Sequence, residues 1–180
     1  MFAKGIAAVI VVFTMSTTAW ALDRGDLQLY RDIQRQVLRY SQFTIFDSVQ
    51  AQIDDGIVTL TGRVTMPHKR DDIAKRVGRV DGVREVRNQI GVLPASQFDD
   101  ELRFRIARAI YGNSNFAIYA NMVNPPIHII VERGRVTLEG VVHSEVDRMM
   151  ARSIAGSFDA FSVTNNLKTD EEARRELEKL

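Results

Sequence analysis

Residues 56–64 read GIVTLTGRV and residues 134–142 read GRVTLEGVV. Aligning Gly56 with Gly134 sets Val58, Leu60, Gly62 and Val64 opposite Val136, Leu138, Gly140 and Val142. The match runs on in both directions. Upstream, Val49, Ala51 and Ile53 face Ile127, Ile129 and Val131; downstream, with one residue deleted in the second copy, Val86, Asn88 and Ile90 face Val163, Asn165 and Leu167. Such a match is an internal duplication, so one local reading serves for both halves.

Each triplet alternates with residues that can face water, the period of a half-buried strand. DDG at 54–56 and ERG at 132–134 separate the first two strands, and Gly56 and Gly134 supply the positive φ that a tight hairpin needs. After the hairpin, Ile73, Val77 and Val80 recur at helical spacing in one copy, and Val146, Met150 and Ile154 in the other. Pro67 opens the first of these helices; Ser144, with Asp147 three residues on, opens the second. A third strand follows near 83–91 and 160–168. Before each hairpin lies another amphipathic helix, marked by Leu27, Ile33, Val37 and Tyr40 and then by Leu102, Ile106, Ala109 and Ile110, with Asp99 or Asp100 suited to cap the latter. The fold class expected is α+β: two tandem α-β-β-α-β modules, each with two helices packed on a three-stranded mixed sheet. Gly62 and Gly140 weaken the interior of a strand, so something should approach them closely; a helix packed over each is the expectation.

The chain divides accordingly. Residues 1–21 read as a cleaved signal peptide: Lys4 is a basic n-region, Ile6 to Phe13 is apolar but too short for a stable span, and Ala19-Trp20-Ala21 offers a cleavage site. Residues 22–93 form the first module, 94–98 a linker beginning at Pro94, 99–169 the second module, and 170–180 a short charged helix with acid early and base late. Modules of this size have marginal cores alone, so the two are expected to dock.

Composition limits the chemistry. Loss of residues 1–21 takes Lys4 from the 24 basic residues and none from the 23 acidic ones, so the formal charge falls from +1 to zero. No global field commits such a chain to nucleic acid. Absence of cysteine excludes disulfides, thiol catalysis, thiolate metal sites and a lipidated N-terminal cysteine. His68, His128 and His143 lack the spacing of a helical metal pair, and Asp71 and Asp72 with Lys75 and Arg76 have the spacing of surface ion pairs. Nucleotide and hydrolase motifs are absent. The expectation is no catalytic residue, no metal and no cofactor.

GIVTLTGRV and GRVTLEGVV, each followed by an amphipathic helix and then by GVREVRNQIGV or AFSVTNNLKT, resemble the BON domain, a module of osmotically inducible periplasmic proteins. The resemblance covers about 26–92 and 99–169. It implies a non-enzymatic envelope protein that binds phospholipid or attaches to membrane surfaces and supports envelope integrity under osmotic or other envelope stress. Two departures mark the second copy: Ala160 stands where the first has Gly82, and YANMVNPPIH intervenes between helix and hairpin.

Candidate contacts come from that second copy. Arg103, Arg105 and Arg108 with Tyr111 set cations beside an aromatic ring on one helix, which suits a headgroup interface, although ordinary solvation of the helix is favoured. Tyr119, Met122, Val123, Pro125, Pro126 and Ile127 cluster apolar surface in the intervening loop, which either packs on its own module or meets lipid or protein. The basic edge Lys69, Arg70, Lys75, Arg76 and Arg79 reads as a solvated face. Asn88 and Asn165 recur in register; amides completing backbone hydrogen bonds are favoured over a polar handle for binding. The partners to weigh are phospholipid headgroups and envelope proteins, the latter for an adaptor or holdase-like chaperone. The sequence does not fix oligomeric state.

Overall fold

A computed structural model describes residues 24–177 of the 180, with side chains from Leu27. The expected signal peptide and the last three residues of the charged tail lie outside the described residues. In the first module, α1 (Arg24–Leu38) precedes the hairpin β1 (Ser48–Asp54) and β2 (Ile57–Val64), then α2 (Pro67–Val77) and a third strand in two pieces, β3 (Glu85–Asn88) and β4 (Gly91–Val92). The second repeats it with α3 (Gln97–Tyr111), a 3-10 turn (Ser114–Phe116), the short α4 (Ala117–Ala120), β5 (Ile127–Glu132), β6 (Arg135–Val142), α5 (Glu145–Ala155) and β7 (Ser162–Thr169). In each sheet the central strand pairs antiparallel with its hairpin partner and parallel with the strand after the crossover helix. Sequential hairpin strands can pair across a short turn, whereas parallel strands need the helical crossover.

The hairpin turns are two-residue loops with both residues at positive φ, 48° and 74° at Asp55 and Gly56, 53° and 72° at Arg133 and Gly134. That geometry matches the twist of the flanking strands. Gly62 and Gly140 are also at positive φ, 118° and 122°, but what approaches them is not a helix. A Cβ on Gly62 would stand 2.1 Å from the carbonyl oxygen of Ser48, and one on Gly140 would stand 1.8 Å from that of Pro126. The neighbouring strand's backbone bends over each glycine where the hairpin ends, which corrects the expected packing of a helix there.

Each module has its own core. The first is built on Leu29, Ile33, Val37, Val58, Leu60 and Ile73, the second on Ile106, Ile110, Phe116, Ile129, Leu138 and Ala151. On α1 the buried residue of the first turn is Leu29, while Leu27 is only half-buried. On α5 the expected stripe is displaced: Ala151 and Ala155 are buried, Met150 and Ile154 half-buried, and Val146 is exposed. Small alanines let α5 lie close to its sheet, which pushes its larger residues to the flank.

The asparagines act alike. The Asn88 amide donates to the Arg70 carbonyl and its oxygen accepts from Ile90 N–H; Asn165 does the same with Arg148 and Leu167. Each ties the third strand to the crossover helix. Helix α6 (Asp170–Leu177) is fastened by a capping box, with Glu172 N–H on Thr169 Oγ1 and Thr169 N–H on the Glu172 carboxylate. Arg148 holds Glu172 at 2.9 Å and His143 holds Asp170 at 2.7 Å, docking this helix on the start of α5.

The modules join through residues 40–48. Asp47 is fully buried and accepts from Thr44 and Thr65, each through both N–H and hydroxyl, and from Lys69 Nζ at 2.7 Å. Burial works against its charge, but Lys69 and these donors prevail and hold the carboxyl below its ordinary range. The segment so fixed presents Ile45 and Phe46 to the second core. The Ile45 carbonyl accepts from Ile129 N–H at 2.7 Å on the outer edge of β5, and Phe46 meets Phe104 edge-on, ring centres 4.8 Å apart. Arg63 pairs with Glu132 at 3.2 Å, and Ser48 and Gln50 both reach Glu139.

Candidate functional site

Helix α3 starts at Ser96, whose hydroxyl accepts from Asp99 N–H, so neither aspartate is the cap. Asp99 turns inward instead, accepting from Arg133 N–H at 2.8 Å and Gly134 N–H at 2.7 Å, and so braces the second hairpin turn. Arg103 completes that brace. It is 4 % exposed, bonded to the carbonyls of Asp99 and Val131 and paired with Asp100. A guanidinium spent inside the module meets no headgroup, so Arg103 leaves the set of candidate contacts. Arg105 lies exposed over the Phe158 ring, 5.2 Å from its centre, and Arg108 is exposed.

The intervening loop divides. Tyr111 clamps its end: the hydroxyl donates to the Ile127 carbonyl at 2.6 Å and accepts from Ile127 N–H at 3.0 Å, and burial pushes its pKa up. Tyr119 is 1 % exposed; its hydroxyl donates to Asp147 and accepts from His143 N–H, and burial pushes its pKa up to about 12. Ile127 is fully buried. These three are structural, which removes them from the contact surface. Pro125 and Pro126 are half-buried, while Met122 is 38 % and Val123 96 % exposed, beside Ile118 on α4.

Sequence reasoning passed over other exposed apolar residues of the second module. Phe98 and Phe104 stand out from α3, Val146 and Met149 from α5, and Phe161 from the turn before β7. Of the ten large hydrophobic residues exposed among the described residues, only Leu38 and Met66 belong to the first module. The alanine pair 151 and 155 was a readable signal for the true orientation of α5. Phe161 carried one too, since it aligns with Arg84 of the first copy.

Between the modules an open cleft of about 880 Å³ is lined by Ser48, Gly62, Arg63, Ile130, Glu132 and Glu139 among others. Across the seam Arg63 pairs with Glu132 and Ser48 donates to Glu139, while Arg133, Arg135 and Phe161 line its other wall. Beside it His128 is packed against the Phe43 ring, centres 5.4 Å apart, with a buried Nδ1 that has no hydrogen-bond partner. Burial lowers its pKa, against the opposing influence of the Thr44 and Asp47 backbone and of the Asp47 and Glu139 carboxylates. Among the described residues no three His, Asp or Glu side chains are placed to hold a metal ion, and no helix is long and apolar enough to cross a membrane.

The profile of the BON domain matches residues 26–94 and again residues 99–171. The chain belongs to the BON domain family. It is a tandem of two BON domains, a family generally without enzymatic activity and compatible with an envelope-associated role. No curated protein matches the chain. Among solved structures, this BON tandem is similar to CdsD, a structural protein of the Type III secretion system of Chlamydia trachomatis, at 14 % identity over 84 % of this chain and 97 % of that one, with a TM-score of 0.30. A structure of the CdsD C-terminal domain aligns at 14 % identity over 78 % of this chain and 64 % of that one, with a TM-score of 0.31.

Proposed function

We propose that this tandem is an exported, periplasmic binding protein that attaches to anionic phospholipid surfaces through its second BON domain and supports the envelope under stress. One observation carries the reading: the exposed large hydrophobic residues are concentrated in the second domain, on a chain whose formal charge is near zero. A monomer gains nothing in stability from such surface, whereas a headgroup layer accepts scattered apolar residues flanked by arginine. Export rests on the leader-like residues 1–21. The first domain, poor in such residues, serves in this reading as a rigid partner.

The test is co-sedimentation of the chain from Leu22 onward, which contains every described element, with neutral and with anionic vesicles at low and high salt. Binding to anionic vesicles alone, weakened by salt, is the expected result. Binding to neither kind at low salt sinks the reading. A second reading, an adaptor or holdase-like chaperone for envelope proteins, draws on Val146 and Met149, which stand one turn apart on the outer side of α5 and would suit an apolar helix or peptide. It expects capture of a partner that persists at high salt.

A further inference from the structure

The two copies share one hairpin tip and fill it with opposite chemistry. In the first, Asp55 and Gly56 make the turn, and Arg84 N–H donates to the Gly56 carbonyl at 2.8 Å. The Arg84 guanidinium folds back on Asp55, pairing with its carboxylate and bonding its carbonyl, so the tip neutralises itself. In the second, Arg133 and Gly134 make the turn, and Phe161 N–H donates to the Gly134 carbonyl at the same 2.8 Å. Phe161 thus occupies the place of Arg84, Arg133 that of Asp55, and Arg135 that of Ile57.

The Phe161 ring lies over Gly134, 2.6 Å from where a Cβ would stand, with the Phe98 ring 3.4 Å from the same point. Even so, Phe161 is 83 % exposed and Phe98 53 %. Arg133 and Arg135 are exposed, and among the described residues neither guanidinium makes an ion pair or side-chain hydrogen bond; the neighbouring Glu132 is held by Arg63. From beneath, Asp99 spends both oxygens on the turn's N–H groups. The tip is therefore braced before any ligand arrives, and docking costs it little conformational freedom.

We propose that this second hairpin tip is where the chain enters an anionic lipid surface, with Phe98 and Phe161 at the headgroup–acyl boundary and Arg133 and Arg135 on lipid phosphates. The inference rests on the membrane reading above and assigns its contact point, which is not the row of arginines on α3. A planar guanidinium fits a phosphate with two parallel bonds, and rings beside cations have the composition of an interfacial anchor. A peptide partner fits less well. The turn's Gly134 N–H and carbonyl are already bonded within the module, leaving that residue no backbone group for strand addition.

The only tryptophan in the sequence is Trp20, so Phe161→Trp in the chain from Leu22 onward carries a single indole fluorophore at the tip. With vesicles of equal parts phosphatidylglycerol and phosphatidylcholine, its emission should shift to the blue and be quenched by brominated lipid; phosphatidylcholine alone should do neither. Arg133→Ser with Arg135→Ser should weaken co-sedimentation on the order of five-fold per arginine. Lys75→Ser with Arg79→Ser, which removes the same charge from the first domain, should change it less than about two-fold. If the parent chain binds anionic vesicles while the tip variants match it and the introduced indole stays in water, the tip assignment is wrong and the membrane reading stands. If the parent chain binds no vesicle, both fall together.

Discussion

Replacing Asp47 by Asn tests the account of how the two domains are held. The carboxylate is fully buried and its partner Lys69 has a side chain 8 % exposed. Asn keeps the shape but cannot neutralise Lys69, and it has one acceptor oxygen where the carboxylate serves five donors with two. Removing one member of a buried pair costs about 3–5 kcal/mol, because the other charge is left without compensation. Against a total stability of about 5–15 kcal/mol that is a large loss. It also falls on the segment that carries Ile45 and Phe46 to the second core, so the domains should uncouple as well as weaken. Urea denaturation of the parent, Asp47→Asn, Lys69→Met and the double variant would measure this, followed by far-ultraviolet circular dichroism. The expected outcome is a strong loss for each single variant, a double variant well short of the sum, and separation of one transition into two. Loss below about 1 kcal/mol for either single variant, or plain additivity, would refute the claim that the pair is the keystone of the junction.

Two more outcomes follow from the same geometry. Because burial lowers the His128 pKa below its ordinary value of 6.5, the unfolded chain binds more protons there; stability should fall as pH drops below 6.5, levelling off only beneath the folded pKa. His128→Phe should remove that slope in urea titrations run across the range, whereas an unchanged slope would place its origin elsewhere. Gly140→Ala should cost about 3 kcal/mol or more, since it adds a positive-φ penalty to a Cβ 1.8 Å from the Pro126 carbonyl; a melting temperature near that of the parent would contradict the close approach.

The duplicated pattern carried most of the architecture, because alternation and helical spacing are local and appear twice. The hairpins, both crossover helices and the backbone-bonding role of Asn88 and Asn165 were legible for that reason, but not that each asparagine reaches the crossover helix. What escaped was set by tertiary geometry. Arg103 sits on a helix like its exposed neighbours Arg105 and Arg108, and only the position of Val131 makes it a brace. Asp99 has the composition of a cap, yet Ser96 reaches the free N–H and leaves the carboxylate to the hairpin. Asp47 has no echo in the second copy, where Pro125 holds its place and Asp147 that of Lys69, so a reading built on repetition was blind to it. The exposed tip was missed for the same reason: it differs between copies, and the alignment rewarded what they share.

The bond from Ile129 N–H to the Ile45 carbonyl has a further meaning for a chain made from one end. Residues 43–47 emerge well before the strand that receives them. At about 5–20 residues per second, the roughly 80 residues between take about 4 to 16 seconds to synthesise. During that interval Ile45 and Phe46 have nothing of their own to cover them, and β5, when it appears, has an outer edge open to any strand until the first domain is folded and near. The seam can close only after β5 has appeared, and these two sites must stay apart from other chains until then.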